Sequence, residues 1–275
     1  MSEASEITRR AKSNLAIALK LLPQERRDDM TVFYAYCRTM DDLADDASKP
    51  PAERAACLDE WRRGMESGFA EPDDFQKEVV SMRERNGIPN ELLLAIIDGC
   101  RQDLRPQRFG NWEELADYIW KVAGAVGLVS IRLFGCVDPG SERYAVALGN
   151  ALQLTNILRD IGEDLSNGVR IYLPLADMAR FQYTERDLVG RVYDGRFLAL
   201  MAYEAERAEA FFREAEEALP AGDRKALVAA LVMGEIYRAL LRKMQAGRFR
   251  VFDRRYEVSK ARKLAILSKH LIARP

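Results

Sequence analysis

The chain is poor in the residues on which many metal and redox enzymes depend. It has one histidine, His270 near its end, and a ferritin-like di-iron bundle, which needs two Glu-x-x-His pairs, is excluded. His270 itself reads as a surface residue without chemistry. The four cysteines, Cys37, Cys57, Cys100 and Cys136, are far apart with no C-x-x-C pair, so neither a structural zinc site nor a disulfide framework is expected. No G-x-G-x-x-G or Walker A run occurs, which removes the usual dinucleotide and nucleotide-phosphate cradles, and no glycine stands where an EF-hand would need one. No window approaches the roughly 18 apolar residues of a membrane span, and the first residues carry no apolar stretch of signal-peptide length. The expectation is a cytoplasmic protein. Low-complexity segments and internal repeats are also missing, and strand-like alternation is nearly absent, with partial alternation only in Arg248–Arg255 (RFRVFDRR).

What is present is an ordinary globular composition: 48% hydrophobic residues, 31% charged and a formal net charge of −1. Such a balance speaks against nucleic acid as a partner. The charge is unevenly placed, however. Between Arg242 and Lys269 ten Lys or Arg residues face only Asp253 and Glu257, a basic stretch suited to phosphates, an anionic membrane surface or plain water.

Apolar residues recur at three- and four-residue intervals, as in Leu115, Tyr118, Ile119, Val122, Val126, Val129 and Leu133, the pattern of helices with one buried face. Prolines fall between these stretches, where a fixed φ and a missing amide start or stop helices. The chain therefore reads as all-α, with helices near 3–21, 24–46, 51–68, 73–86, 90–103, 112–136, 140–165, 185–189, 194–218, 221–247 and 257–271. Residues 166–183 read as a loop with a short turn, and 248–255 as an extended connection. The 275 residues allow one domain or two, and no linker divides them.

Two helical segments carry unusual polar stripes. At about 100° per residue, Tyr34, Arg38, Asp41 and Asp45 share one narrow arc, and Gln153, Asn156, Asp160 and Asp164 share another. Acidic residues four apart are most often a solvated face. Here both stripes run among Phe33, Tyr36, Met40, Leu154, Ile157 and Ile161, where like charges repel unless a cation lies between them. Mg²⁺ prefers carboxylate oxygens and commonly completes its shell with substrate phosphate. A diphosphate held between two acidic walls fits that pattern.

Asp41-Asp-Leu-Ala-Asp45 preceded by Tyr34-x-x-x-Arg38, Tyr118-Ile-Trp-Lys-Val-Ala-Gly-Ala-Val-Gly127, and Asn156-Ile-Leu-Arg-Asp-Ile-Gly-Glu-Asp164 followed by Arg170-Ile-Tyr-Leu-Pro174 resemble the signatures of the squalene/phytoene synthase family in order and spacing. The resemblance implies a single isoprenoid-synthase domain over 1–275, helices around a central cavity, and head-to-head condensation of two farnesyl or geranylgeranyl diphosphates. It implies Asp41, Asp45, Asp160 and Asp164 as Mg²⁺ ligands with Asn156 assisting. Arg38, Arg159 and Arg170 would contact diphosphate, together with Ser13, Asn14, Gln153 and Arg250, with Arg254 able to replace Arg250. Tyr34, Tyr118, Tyr172 and Tyr237 would line the cavity.

Within the family, the length resembles bacterial presqualene diphosphate synthases, so two farnesyl diphosphates are the expected substrate; phytoene or dehydrosqualene synthase is the alternative. NADPH is not expected. A monomer or weak homodimer is expected, and a greasy substrate can draw it to the inner face of the membrane. A class I terpene cyclase shares the two metal motifs, and a non-catalytic adaptor binding anionic lipid through its basic tail is the rival from another class.

Overall fold

A computed structural model describes residues 3–10, 19 and 21–272. The described residues form helices and turns, with no strand among them. In chain order the helices are α1 (Glu3–Arg10), α2 (Gln24–Asp45), α3 (Pro51–Ser67), α4 (Asp74–Arg85), α5 (Asn90–Gln102), α6 (Trp112–Ile119), a five-residue π-helical turn (Trp120–Gly124), α7 (Ala125–Phe134), α8 (Gly140–Ser166), α9 (Leu175–Arg180), α10 (Glu185–Val189), α11 (Gly195–Ala218), α12 (Val228–Ala246) and α13 (Lys260–Ile272).

Local chemistry sets many of these boundaries. Pro23, Pro50, Pro89, Pro139 and Pro174 each stand just before a helix, where proline costs no helical hydrogen bond. Side-chain oxygens of Asp73, Asn111, Thr184 and Asp194 take the first free amides of α4, α6, α10 and α11, each worth about 1 kcal/mol.

α8 is the central post, packed against α11, α7, α12 and the π-turn. Its buried face includes Leu148, Ala151, Leu154, Ile157, Leu158 and Ile161; each large aliphatic side chain so covered contributes roughly 1.5–3 kcal/mol. A Cβ on Gly127 would stand 2.7 Å from the Ala145 carbonyl, and one on Gly149 would stand 2.8 Å from that of Ala123. These glycines thus let the π-turn and α7 lie directly on α8. The N-terminus of α8 is anchored from outside: the Asp223 carboxylate accepts hydrogen bonds from Val137 N, Asp138 N and Ser141 Oγ at 2.9, 2.9 and 2.7 Å. Burial alone would raise the pKa of Asp223, but these donors hold it below the usual range.

Three sequence expectations change. The stretch 166–183 contains α9. The segment 221–227 forms turns, so α12 begins at Val228. Within 248–255, residues 248, 249 and 251–253 form turns, so most of that stretch is not the extended connection expected. There Arg248 and Phe249 take left-handed φ values of 53° and 50°, and the amide of Phe249 returns to the Met244 carbonyl at 2.8 Å. The alternation of RFRVFDRR reflects Phe249 and Val251 turning inward, not a strand.

Candidate active site

The two acidic stripes lie on α2 and on the C-terminal half of α8. On α2 the Arg38 guanidinium forks between Asp41 Oδ2 at 2.8 Å and Asp42 Oδ1 at 2.5 Å. On α8 Arg159 clasps Asp160 through Nε, 2.7 Å from Oδ1, and through a second contact from Nη2 to Oδ2. The loop after α8 joins the two sides. Arg170 Nη2 lies 2.7 Å from Asp45 Oδ1 on α2, while the Arg170 amide donates to the Asp164 carbonyl at 3.1 Å. The acidic residues are therefore two walls of one site.

Electrostatics in this site are strained. Asp41 is pushed up to about 6, first by burial; Arg38 opposes this, and the carboxylates of Asp45, Asp42 and Asp103 add to it. Yet 52% of the Asp41 side chain meets water, so the rise belongs to a crowded cleft mouth and not to a dry interior. Asp164 is pushed up to about 7 by burial and then by Asp160, against the pull of Arg170. Both walls hold more negative charge than their arginines neutralise, which is the condition that a bound cation relieves.

Asp103, which the sequence pattern did not reveal, sits between the walls. Its Oδ2 accepts the Tyr118 hydroxyl and its Oδ1 the Tyr172 hydroxyl, both at 2.8 Å. Phe109, Tyr118 and Tyr172 form an aromatic triangle with centroid separations of 5.4, 5.4 and 6.1 Å. Burial raises the pKa of Asp103, while the two phenols and Arg170 pull it down. Asp103 caps the end of α5 in Arg101-Gln-Asp103-Leu, with no second carboxylate at helical spacing, so no periodic signal marks it.

The C-terminal turn delivers an arginine, though not the expected one. Arg255 lies 3.3 Å from Asp160 Oδ1 through Nε and 3.2 Å from Glu163 Oε2 through Nη1. Gly162 permits this approach, since a Cβ there would stand 2.4 Å from the Val251 carbonyl. Arg250 instead pairs with Asp253 at 2.6 Å and stacks over Tyr193 at 4.8 Å. Arg254 bonds the Tyr256 hydroxyl at 3.1 Å. Tyr237 is near Arg159, and Tyr34 near Arg38. Ser13 and Asn14 lie outside the described residues.

Gln153 and Asn156 are on the same stripe, with a long Asn156 Nδ2 to Gln153 Oε1 contact of 3.4 Å, and Asn156 Oδ1 is buried without a hydrogen-bond partner. Among the described residues no three acidic, cysteine or histidine side chains converge on one point; Asp41, Asp45 and Asp160 are turned onto guanidinium groups. The donor set nevertheless suits a hard cation: it consists of carboxylate oxygens plus one unsatisfied amide oxygen.

A family model described as Squalene/phytoene synthase matches residues 8–262. The chain belongs to the squalene/phytoene synthase family. It is 36% identical to the 15-cis-phytoene synthase of Synechocystis sp. over 97% of this chain and 84% of that protein. It is 33% identical to the phytoene synthase of Mycobacterium tuberculosis over 96% and 88%. A solved dehydrosqualene synthase superposes with a TM-score of 0.81 at 27% identity, covering 98% of this chain and 94% of that one. A squalene synthase from Alicyclobacillus acidocaldarius gives 0.77 at 28% identity, covering 90% and 94%. The chain thus has the all-α isoprenoid-synthase fold and belongs to a family of prenyltransferases acting on prenyl diphosphates. No helix among the described residues is long and apolar enough to cross a membrane.

Proposed function

We propose that this synthase joins two molecules of geranylgeranyl diphosphate head to head and forms phytoene through a cyclopropylcarbinyl diphosphate. The expectation of two farnesyl diphosphates gives way to the C20 reading because relatives named phytoene synthase, 33–36% identical, align along nearly the whole chain. The observation that carries the reaction class is the Arg170 link between the two acidic helices, which makes them a single cradle for a diphosphate.

Arg38, Arg159, Arg170 and Arg255 supply the guanidinium groups that bind the leaving diphosphate. Each must exchange a carboxylate for phosphate oxygens, and planar forked donors suit both. Asp41, Asp45, Asp160 and Asp164, with Asn156 Oδ1, would hold Mg²⁺, whose chemistry is to neutralise charge growing on the diphosphate as the allylic C–O bond breaks. The walls then serve the carbocation left behind. The faces of Tyr118, Tyr172 and Phe109 stabilise positive charge, and the hydroxyls of Tyr118 and Tyr172 are fixed on Asp103 rather than free to attack. The double bond of the second prenyl chain forms the new C–C bond, and a proton leaves to Tyr34 or to the released diphosphate. Diphosphate loss and rearrangement in the second half-reaction, ending in proton loss, yield phytoene without NADPH.

A C15 reading keeps one support, the likeness to solved dehydrosqualene and squalene synthases. Purified protein with Mg²⁺ and either the C20 or the C15 diphosphate, followed by mass spectrometry, separates them. A C40 hydrocarbon from the C20 substrate is expected. Turnover of the C15 diphosphate alone, to a C30 product, overturns the C20 assignment; a C15 hydrocarbon overturns head-to-head chemistry altogether.

A further inference from the structure

A cavity of about 910 Å³ lies between α8, α11, α12 and α13, away from the two acidic walls. Its α8 contribution is Tyr144 and Leu148. Leu148 is twelve residues before Asp160, about 18 Å along the helix, and the two lining residues point roughly 140° from the Asn156–Asp164 stripe. On α12 the lining face, which includes Leu231, Glu235, Arg238 and Arg242, is turned roughly 130° from Tyr237. The cavity is thus separate from the candidate active site.

The floor and walls are apolar, formed by Tyr144, Leu148, Phe212, Leu219, Leu231 and Val258, while the rim is cationic. Several rim charges are already used: Arg238 binds Glu209 and Glu216, and Lys269 and His270 bind Glu235. Arg224, Arg242 and Arg262 also line it and have no side-chain ion pair among the described residues. Arg242 and Arg262 come to the same end, because α13 runs back along α12 with Lys269 fixed opposite Glu235. A cavity with an apolar floor and two unpaired guanidinium groups at one end of its rim is complementary to a chain with an anionic head.

The outer face of α13 indicates the source of such a chain. Leu264 and Leu271, seven residues apart on one helical face, are 60% and 44% exposed, and Lys260 and Lys263 border them on that outer side of the helix. An exposed leucine stripe bordered by cations is the composition of a helix lying on an anionic bilayer. We propose that α13 rests on an anionic phospholipid surface and that the cavity beneath it takes an acyl chain of one phospholipid, whose phosphate binds Arg242 and Arg262. The proposal stands independently of the substrate assignment.

The test uses the full chain, vesicles of phosphatidylglycerol or of phosphatidylcholine, and monomeric dihexanoyl phosphatidylglycerol as a soluble probe. Binding to phosphatidylglycerol vesicles well above phosphatidylcholine is expected, and the soluble probe should bind at one site. Losing the cations by Arg242→Glu with Arg262→Glu should weaken vesicle binding by about fivefold or more for each. Ala239→Trp, which fills the cavity wall, should abolish probe binding while the thermal melt stays close to wild type. Asp41→Asn should bind the probe as wild type does, so that failure here and failure of the catalytic reading are told apart. Equal binding to both vesicle types, or retention of probe binding in Ala239→Trp, overturns the proposal. So does displacement of the probe by equimolar farnesyl diphosphate in the Asp41→Asn protein, which would assign the cavity to an isoprenoid diphosphate.

Discussion

Arg170 and Asp45 are 125 residues apart in sequence and 2.7 Å apart in space. This ion pair ties the loop after α8 to the end of α2, so the second acidic motif cannot shift without moving a partner of the first. Arg170→Ala should lower kcat/KM by about 10²-fold, and Arg170→Lys should recover only part of it, because an ammonium lacks the fork. The pair is half exposed on the Asp45 side, so the unfolding free energy should change by less than about 1 kcal/mol. Steady-state kinetics alongside thermal melts check both halves.

Asp103 is expected to act as a positioning residue for Tyr118 and Tyr172, which are 4% and 9% exposed. Asp103→Ala leaves two buried phenols without an acceptor and should destabilise the fold by about 3 kcal/mol, at roughly 1–3 kcal/mol for each orphaned group. Adding Tyr118→Phe and Tyr172→Phe to that variant should restore much of the loss. Additive losses in calorimetry would contradict the hydrogen-bond account.

Stability should depend on pH through Glu204, which is fully buried on α11 with one oxygen 2.6 Å from Arg207 Nη1 and the other unpartnered. Burial raises its carboxyl from the usual 4.5 to about 7, against the pull of Arg207. Below pH 4.5 both folded and unfolded states are protonated, so the contribution is fully present. Between 4.5 and 7 the unfolded chain ionises first and stability falls; above 7 the loss is complete. Glu204→Gln should flatten this slope and be more stable than wild type at pH 8, on the order of 3 kcal/mol, because Arg207 keeps Asp177 at 2.9 Å. At pH 4 the two proteins should unfold alike. Denaturant titrations at the two pH values read the difference.

Arg255 and Arg250 should behave differently. Arg255→Ala removes the guanidinium beside Asp160 and Glu163 and should raise KM for the diphosphate by about tenfold or more. Arg250→Ala removes a surface pair with Asp253 and a stack on Tyr193, both away from the acidic walls, and should stay within about twofold of wild type. The reverse order of effects would restore Arg250 to the site.

The helical architecture and both metal-type motifs were legible in the sequence, because prolines punctuate the helices and because Asp41, Asp45, Asp160 and Asp164 repeat at helical spacing. What was hidden depends on tertiary contact. Asp103 is a lone acid at a helix end, and its role arises only where Tyr118 and Tyr172, from distant segments, meet it. The exchange of Arg250 for Arg255 follows from left-handed turns at Arg248 and Phe249, residue types that seldom take that conformation. The break before Val228 was masked by the apolar periodicity of Ala226, Leu227 and Val228, which turns and helix share.

The central claim is that the two acidic walls enclose a divalent cation and a diphosphate. Release of inorganic diphosphate from geranylgeranyl diphosphate, followed with and without Mg²⁺ for the wild type, Asp41→Asn and Asp160→Asn, tests it most directly. The account predicts release by the wild type only with Mg²⁺, and a loss of about 10²-fold or more in each variant. Diphosphate release that persists in EDTA, or at wild-type rates in both variants, would contradict it.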